Sequence, residues 1–478
     1  MNQNRSTGGR RLIHGSRTRK AVGVPPRAIA NEVPMSRLSS RRSFLQSSAL
    51  LGGAAFSVPL ETFAARLNAG ERPRMHQDFG KLAPVTDKTT GLPLIQLPEG
   101  FEYVTFGWEK DELTEGGVTP AMHDGMAVIG SDENTVTLCR NHEVDGSGKA
   151  FGGEEIAYDP AAKGGCTNLV FNTKEGKLVK SWISISGTVR NCAGGPTPWG
   201  TWLTCEETLH EPGVKNAKGI PYSYEKTHGW IFEVPATKAA APQPLKAMGR
   251  FVHEAIAIDP KSGIVYETED KSAAGFYRFI PSFPKRLGDG GKLQMMKVQG
   301  VADTRTGRKA NDTFNVEWVD IQHPELAHSP NPNDGKPDSA GVFMQGKQQG
   351  GSAFGGLEGC WFLDGRVFFT AKSGGDAKKG QVWEYTIADE KLRLVYESSG
   401  IADLNMPDNI VASPRGGLVI CEDGEDKVPM RIQCLTRDGK LCVFGVNNID
   451  LTKTPHNGFN KRYVEGEWAG ATFSPDSK

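Results

Sequence analysis

The chain has 478 residues, in which 56 Lys and Arg balance 56 Asp and Glu. With 58 Gly, 29 Pro and only short apolar runs, it reads as an all-β protein rich in turns, large enough to bury a core in one unit, with no segment apolar over a bilayer's thickness. The balance hides a split: residues 1–42 carry ten Lys/Arg against Glu32 alone, so the rest holds 46 basic and 55 acidic side chains, which excludes a nucleic-acid surface once the head is set aside.

That head reads as targeting sequence. Ser40-Arg41-Arg42-Ser43-Phe44-Leu45 is a twin-arginine export signal, followed by a modestly apolar segment, Ser47–Val58, too short to span a membrane. Met35 is the expected start and cleavage is expected between Ala64 and Ala69, giving a basic extension and signal peptide over 1–69, a polar lead-in over 70–97 and a single domain over 98–478. The expected partner at this stage is the twin-arginine export machinery, which carries folded proteins, and the expected compartment is periplasmic or extracellular.

From Pro98 a strand pattern begins. Phe101–Gly107 alternates, Met126–Gly130 and Thr135–Arg140 form a hairpin, and Phe171–Ile185 forms another around Lys174-Glu175-Gly176-Lys177. The turn Gly194–Pro198 feeds a strand at Trp199–Cys205, and 209–228 is a polar loop. Between about 281 and 351 the β pattern weakens into an insertion. There 311–326 reads as a short helix or irregular segment and 329–338 as a Pro/Asn/Asp loop, and the whole is expected to shape a site mouth.

One unit recurs along this pattern. It opens on a ligand-type residue, runs through two strands and a turn, and closes on a charged residue about fifteen positions later. Cys192 leads to Glu206-Glu207, Glu254 to Glu269-Asp270, Glu358 to Lys372 and Asp408 to Glu422-Asp423; Asp124 leads to Glu143 in a looser copy, and Glu467 opens a last one. Six such openings imply a six-bladed β-propeller with inserted loops and a last blade that is incomplete where the chain stops at Lys478. The first strand of each propeller blade lines the axis, so the openers would face one another. Asp and Glu are common at turns for conformational reasons, but five carboxylates and a thiol in register form a ring that cations must neutralise.

The eight cysteines do not look like a disulfide framework: Cys139, Cys205 and Cys421 sit late in strands, Cys166 and Cys360 read as core, and Cys434 and Cys442 flank a hairpin turn. Only Cys192 lies where a ligand would. His142 and His253 read as hydrogen-bonded strand-end residues, His253 orienting Glu254.

The run Asn191-Cys192-Ala193-Gly194-Gly195-Pro196-Thr197-Pro198-Trp199-Gly200-Thr201-Trp202-Leu203-Thr204-Cys205-Glu206-Glu207 resembles the PhoX-type secreted alkaline phosphatases and their relatives. So do Gly249-Arg250-Phe251 with His253-Glu254, Pro407-Asp408-Asn409, and Gly470 with Phe473-Ser474-Pro475-Asp476. The resemblance runs from about Pro98 to the C-terminus. It implies a propeller whose axial site holds Fe(3+) and Ca(2+) and hydrolyses phosphate monoesters, with Cys192 on iron and Glu207, Glu254, Glu358, Glu269, Asp270 and Asp408 as carboxylate ligands; Asp124, Glu143 and Glu206 complete the candidate set. Where the family carries an Arg that grips substrate phosphate, this chain has Gly356. Arg190 and Lys372 are the best-placed cations to meet a phosphate instead, ahead of Arg305, Arg308 and Lys309 in the insertion.

Carboxylates alone suit hard cations, whereas a thiolate calls for a transition metal. No nucleophile elbow, P-loop or dinucleotide fingerprint is present, so metal-activated water is the expected attacking group. The expected partner is a small phosphate ester, acted on by a monomer. A calcium-dependent, lactonase-like propeller hydrolase would share the carboxylates but have no use for Cys192, and a non-catalytic metal-binding propeller is the third reading.

Overall fold

The computed structural model describes residues 79–216, 218–327 and 341–475. The twin-arginine segment, its start and cleavage sites, and the 329–338 loop lie outside the described residues.

The chain builds sheets in sequence. After β1 (Leu82–Val85) and β2 (Ile95–Pro98), the first sheet is β3 (His123–Ser131), β4 (Thr135–His142), β5 (Gly164–Asn172) and β6 (Lys177–Thr188), a plain antiparallel meander. The second is β7 (Asn191–Pro196), β8 (Thr201–Glu206) and β9 (Ile231–Pro235). The third is β10 (His253–Ile258), β11 (Val265–Glu269), β12 (Phe276–Pro281), β13 (Gly291–Val298) and β14 (Thr313–Asp320). The fourth is β15 (Leu357–Leu363), β16 (Arg366–Ala371), β17 (Gln381–Thr386) and β18 (Lys391–Glu397), and the fifth β19 (Pro407–Ala412), β20 (Leu418–Glu422), β21 (Arg431–Leu435) and β22 (Leu441–Asn447). β2 adds to the outer edge of β22 and β1 to β2, while β14 bridges the outer edges of the third and fourth sheets by pairing with β18.

The opening strands β3, β7, β10, β15 and β19 pack side by side in that order. Neighbouring sheets meet face to face through apolar side chains: Phe276 stacks on Phe369 at 4.2 Å between the third and fourth, with Tyr266 and Trp383 fully buried around them. Burying each such ring is worth roughly 2–3 kcal/mol. The sixth wedge carries no sheet of its own among the described residues. Its two faces are covered by irregular chain, Phe106 stacking on Phe171 of the first sheet at 4.8 Å and Phe473 packing against Val411 and Val419 of the fifth. This is a β-propeller with six stations, the last served by the strandless segment from Glu467.

Three expectations change. Phe101–Gly107 is not a strand, because its backbone is claimed locally: the Thr105 N–H donates to Asp87 at 2.8 Å and the Tyr103 carbonyl accepts from Lys88. The lead-in contributes β1 and β2 to the fifth sheet. In the insertion, 313–320 is β14 rather than helix, since Phe314, Val316 and Trp318 alternate with Asn315 and Glu317 along an edge that pairs with β13; the one α-helix there among the described residues is α1 (Val342–Gln348). None of the eight cysteines forms a disulfide, and Cys434 and Cys442 face each other across β21 and β22.

Candidate metal centre

The five opening strands share one irregularity. Each pairs normally at its first residue, then slips: between His123 and Met126, Asn191 and Gly194, His253 and Ile256, Leu357 and Cys360, Pro407 and Ile410. The residue at the start of every slip is the opener: Asp124, Cys192, Glu254, Glu358 or Asp408. A bulge re-aims the side chain it carries, and here it sends each opener out of the sheet's alternation toward the axis. The next residue is small or close-packed. A Cβ on Gly125 would lie 2.6 Å from Ala193 Cα, and one on Gly359 2.6 Å from the Ile410 nitrogen, so these glycines let adjacent blades approach.

The openers' carbonyls are tied to the preceding blade. Asn141 Nδ2 donates to the Cys192 carbonyl at 3.0 Å, Thr268 Oγ1 to that of Glu358 at 2.6 Å and Thr370 Oγ1 to that of Asp408 at 2.7 Å. The closing residues follow an equally regular rule. The N–H groups of Glu143, Glu207, Asp270, Lys372 and Asp423 donate to the carbonyls of Met122, Arg190, Val252, Gly356 and Met406, each two residues before an opener. Met122, Arg190, Gly356 and Met406 adopt left-handed φ values of 50–57° to make that turn. Every blade with a sheet therefore delivers one opening and one closing side chain to the axis.

Ligand atoms of Asp124, Glu143 and Cys192 lie within 4.8 Å of one another, as do those of Cys192, Glu207 and Glu254, of Glu254, Glu358 and Asp408, and of Asp408, Asp423 and Glu467. These groups share members, so they form one chain of four overlapping sets. Asp270 joins by a hydrogen bond with Glu207. Of the candidates from sequence, Asp124, Glu143, Cys192, Glu207, Glu254, Asp270, Glu358 and Asp408 come together. Asp423 and Glu467 belong with them and were outside the candidate set, though Asp423 stands to Glu422 as Glu207 stands to Glu206, and Glu467 is the sixth opener.

Glu206 and Glu269, counted as candidates from sequence, are directed elsewhere. Glu206 is fully buried and accepts from the N–H groups of Val189, Gly229 and Trp230 at 2.9, 2.8 and 3.0 Å and from His228 Nδ1 at 2.7 Å. Glu269 accepts from the Gly275 N–H and Tyr277 hydroxyl, both at 2.8 Å. They end the second strand one residue before a closer, and strand alternation turns them away from it. Glu422 does the same, binding the Asn405 N–H and Arg431, and His142 Nδ1 meets the Ala121 carbonyl. In three blades this inner residue pins the backbone three positions before the opener. His253 bonds the Gly249 carbonyl through Nε2 at 3.0 Å.

Electrostatically the ring is unsatisfied. Two cations enter it: Arg190 Nη2 bonds Glu207 at 2.5 Å and Glu143 at 2.7 Å, and Lys372 Nζ bonds Asp423 and lies 3.7 Å from Glu358. Burial works against both charges, yet the carboxylates around them hold both well above their usual values. Glu254 has neither. Both of its oxygens are buried without a hydrogen-bond partner, as is Glu358 Oε1. Burial, then the charges of Glu358, Glu207, Asp408 and Asp124, push the Glu254 carboxyl well up, and burial with Asp124 and Glu254 does the same to the Cys192 thiol. Asp408 is pushed to about 6 by burial, with Lys372 pulling the other way. Carboxylates this close cannot all ionise unless cations lie between them, and the orphaned Glu254 oxygens sit where two of the four sets meet. The donor set fits both hard cations and, through Cys192, a thiophilic one.

A sequence profile of the family described as alkaline phosphatase PhoX matches residues 77–181 and 170–478. The chain belongs to that family. Among solved structures it is similar to PhoX of Pseudomonas fluorescens in complex with vanadate, described as a transition state analogue, at 18% identity and a TM-score of 0.57, covering 85% of this chain and 91% of that one. That likeness shows a shared fold. A putative 6-phosphogluconolactonase from Bacteroides fragilis matches at 9% identity over 70% of this chain and 85% of its own, with a TM-score of 0.29. No curated protein matches. Among the described residues no helix is long and apolar enough to cross a membrane.

In this PhoX-family chain the position before the fourth opener's neighbour is Gly356. A Cβ there would stand 3.1 Å from Asp270 Oδ1 and 3.2 Å from Ser373 Oγ. Arg305 comes beside it, its Cγ 3.3 Å from where a Gly355 Cβ would be, but its guanidinium is held by Asp303 at 2.9 Å and the Ser272 carbonyl at 2.8 Å.

Proposed function

We propose that this chain is an exported, metal-dependent phosphatase that hydrolyses phosphate monoesters at the propeller axis, with Fe(3+) and Ca(2+) held by the opener and closer side chains. The observation that carries the reading is Glu254, a buried carboxylate with neither oxygen partnered, placed between a thiol-containing set and an all-carboxylate set. Cys192 with Asp124, Glu143, Glu207 and Glu254 would hold the thiophilic ion, and Glu358, Asp408, Asp423 and Glu467 the hard ones. Ions bound there would polarise a phosphoryl oxygen and lower the pKa of bound water.

The chain's own residues have three tasks in this reading. The bulged openers fix the ligand atoms before any ion arrives, so little rearrangement opposes binding. Arg190 and Lys372 neutralise part of the ring and present N–H donors at its two sides; Arg190 keeps 36% of its side chain exposed and Lys372 21%, so each can share a donor with a phosphate oxygen. Gly356 makes the left-handed turn before Glu358 at φ 57°, at a place where a side chain would crowd Asp270 and Ser373. The phosphate ester substrate is supported by family membership and by the vanadate bound to the fold relative. Export by the twin-arginine route is supported by Ser40–Leu45.

The test is turnover of p-nitrophenyl phosphate by metal-loaded protein and by Cys192→Ala, with metal content measured on both. Joint loss of transition metal and activity in Cys192→Ala is expected. Calcium alone in the parent, without turnover of the phosphate ester, would favour the lactonase-like alternative, and a parent with iron and calcium but no turnover a non-catalytic metal-binding propeller.

A further inference from the structure

Two loops leave the axial cluster directly from its ligands and meet again beyond it: one follows Glu143, the other Glu207. Between them, the loop after Glu207 carries a cluster of rings. Tyr222 lies 4.9 Å from His210 and 5.0 Å from Tyr224, both at interplanar angles of 32°, His210 stacks on Tyr224 at 5.4 Å and 28°, and Tyr224 lies 5.1 Å from His228. The inner end is immobile, because His228 is fully buried between Glu206 and Asp159 at 2.7 and 3.3 Å. The outer end is reachable, Tyr222 being half-buried and His210 20% exposed. Asp145, two residues after Glu143, fixes the outer edges through the Tyr222 hydroxyl at 3.4 Å and His210 Nδ1 at 3.5 Å.

The ring cluster adjoins the chemistry through Arg190. This side chain bonds both Glu143 and Glu207, its backbone N–H donates to the Val144 carbonyl, and its charge is among those acting on His210 and Tyr222. Burial keeps the His210 pKa below its usual value, with Asp145 pulling the other way.

Resting on the phosphatase reading, we propose that the Tyr222–His210 face is a preorganised wall for the organic part of the ester, selecting planar aromatic leaving groups over alkyl ones. A rigid ring cluster ordered by ion pairs at its base and a carboxylate at its rim loses little entropy on binding a ring. Flat rings stack on flat rings in offset geometry more favourably than saturated groups do. With Arg190 drawing the phosphate to the cluster, an aryl group attached to it falls on the side where the rings stand.

The experiment compares the parent, Tyr222→Leu and Tyr222→Phe, all metal-loaded. Steady-state kinetics with phenyl phosphate and glycerol phosphate should show KM for the aryl ester rising roughly three- to tenfold in Tyr222→Leu, a clearly larger rise than for the alkyl ester, with Tyr222→Phe restoring the parental ratio. A calorimetric pair needs no turnover: phenylphosphonate should bind more tightly than tert-butylphosphonate, and the gap should shrink in Tyr222→Leu. Equal effects on both esters together with no gap between the two phosphonates would overturn the wall. If the parent hydrolyses neither ester the phosphatase reading fails, and the phosphonate gap alone then decides the inference.

Discussion

Glu206 and Glu207 are neighbours in sequence, identical in chemistry and both buried, yet they have opposite surroundings. Glu206 is saturated by three backbone N–H groups and a histidine, whereas Glu207 faces Asp270, Glu143 and the other ring members with Arg190 as its counter-charge. The same division separates Glu269 from Asp270 and Glu422 from Asp423. One layer of acids holds the propeller together and the layer one residue further holds its axial charge. An acidic pair at a strand end is therefore two devices, and strand alternation decides which residue serves which purpose.

The largest effect should come from confusing the two. Glu206→Ala leaves three buried N–H groups and the buried His228 Nδ1 without their acceptor, and should cost about 3–5 kcal/mol in urea unfolding with or without chelator. Glu254→Gln should do the reverse. It removes a carboxyl that has only repulsive neighbours, so metal-free stability should hold or rise while metal affinity collapses; a loss matching that of Glu206→Ala would erase the distinction.

The layers should also answer pH in different windows. In the ring, burial raises the folded pKa of Asp408 from 3.8 to about 6, with Lys372 pulling the other way. The unfolded chain then releases its proton first, so metal-free protein should lose on the order of 2–3 kcal/mol from this group as pH climbs from about 4 through 6. Saturating metal should suppress the loss, which thermal melts across that range with and without chelator would show. In the inner layer, burial opposes the His228 charge, but Glu206 and Asp159 raise it from 6.5 to about 9. Its contribution is complete below pH 6.5 and fades as pH rises through 9, again by about 2–3 kcal/mol, and this step should persist in metal-loaded protein and vanish in His228→Gln. The smallest effect concerns the ties between blades. Thr370→Val removes the donor to the Asp408 carbonyl and should cost about 1 kcal/mol, with a measurable drop in metal affinity because that opener is no longer held.

Much of this plan could be read from the sequence because it repeats. The openers recur at strand starts, and turn chemistry around Pro260–Gly263, Asp364-Gly365 and Pro414–Gly417 marks the hairpins between them. What escaped was decided by contacts distant in sequence. Phe101–Gly107 alternates like a strand, but Asp87 takes the Thr105 N–H, the Pro98 carbonyl takes that of Phe101 and the Tyr103 carbonyl is taken by Lys88. β14 is held from two sides, by β13 along 316–320 and by an edge of β18 that lies 76 to 80 residues further along the chain. The bulge that aims the openers leaves no mark beyond a small following residue, as at Gly125 and Gly359. Glu206 and Glu269 were inseparable from Glu207 and Asp270 by composition, since only the strand register shows which side chain faces the axis.

Metal content of protein purified without added chelator, set beside Glu254→Gln and Glu206→Gln, tests the central claim most directly. The account predicts more than one ion per chain in the parent, a transition metal among them, a sharp loss in Glu254→Gln, and retention in whatever fraction of Glu206→Gln remains folded. A parent that purifies folded yet carries no bound metal, or a metal load indifferent to Glu254, would contradict it.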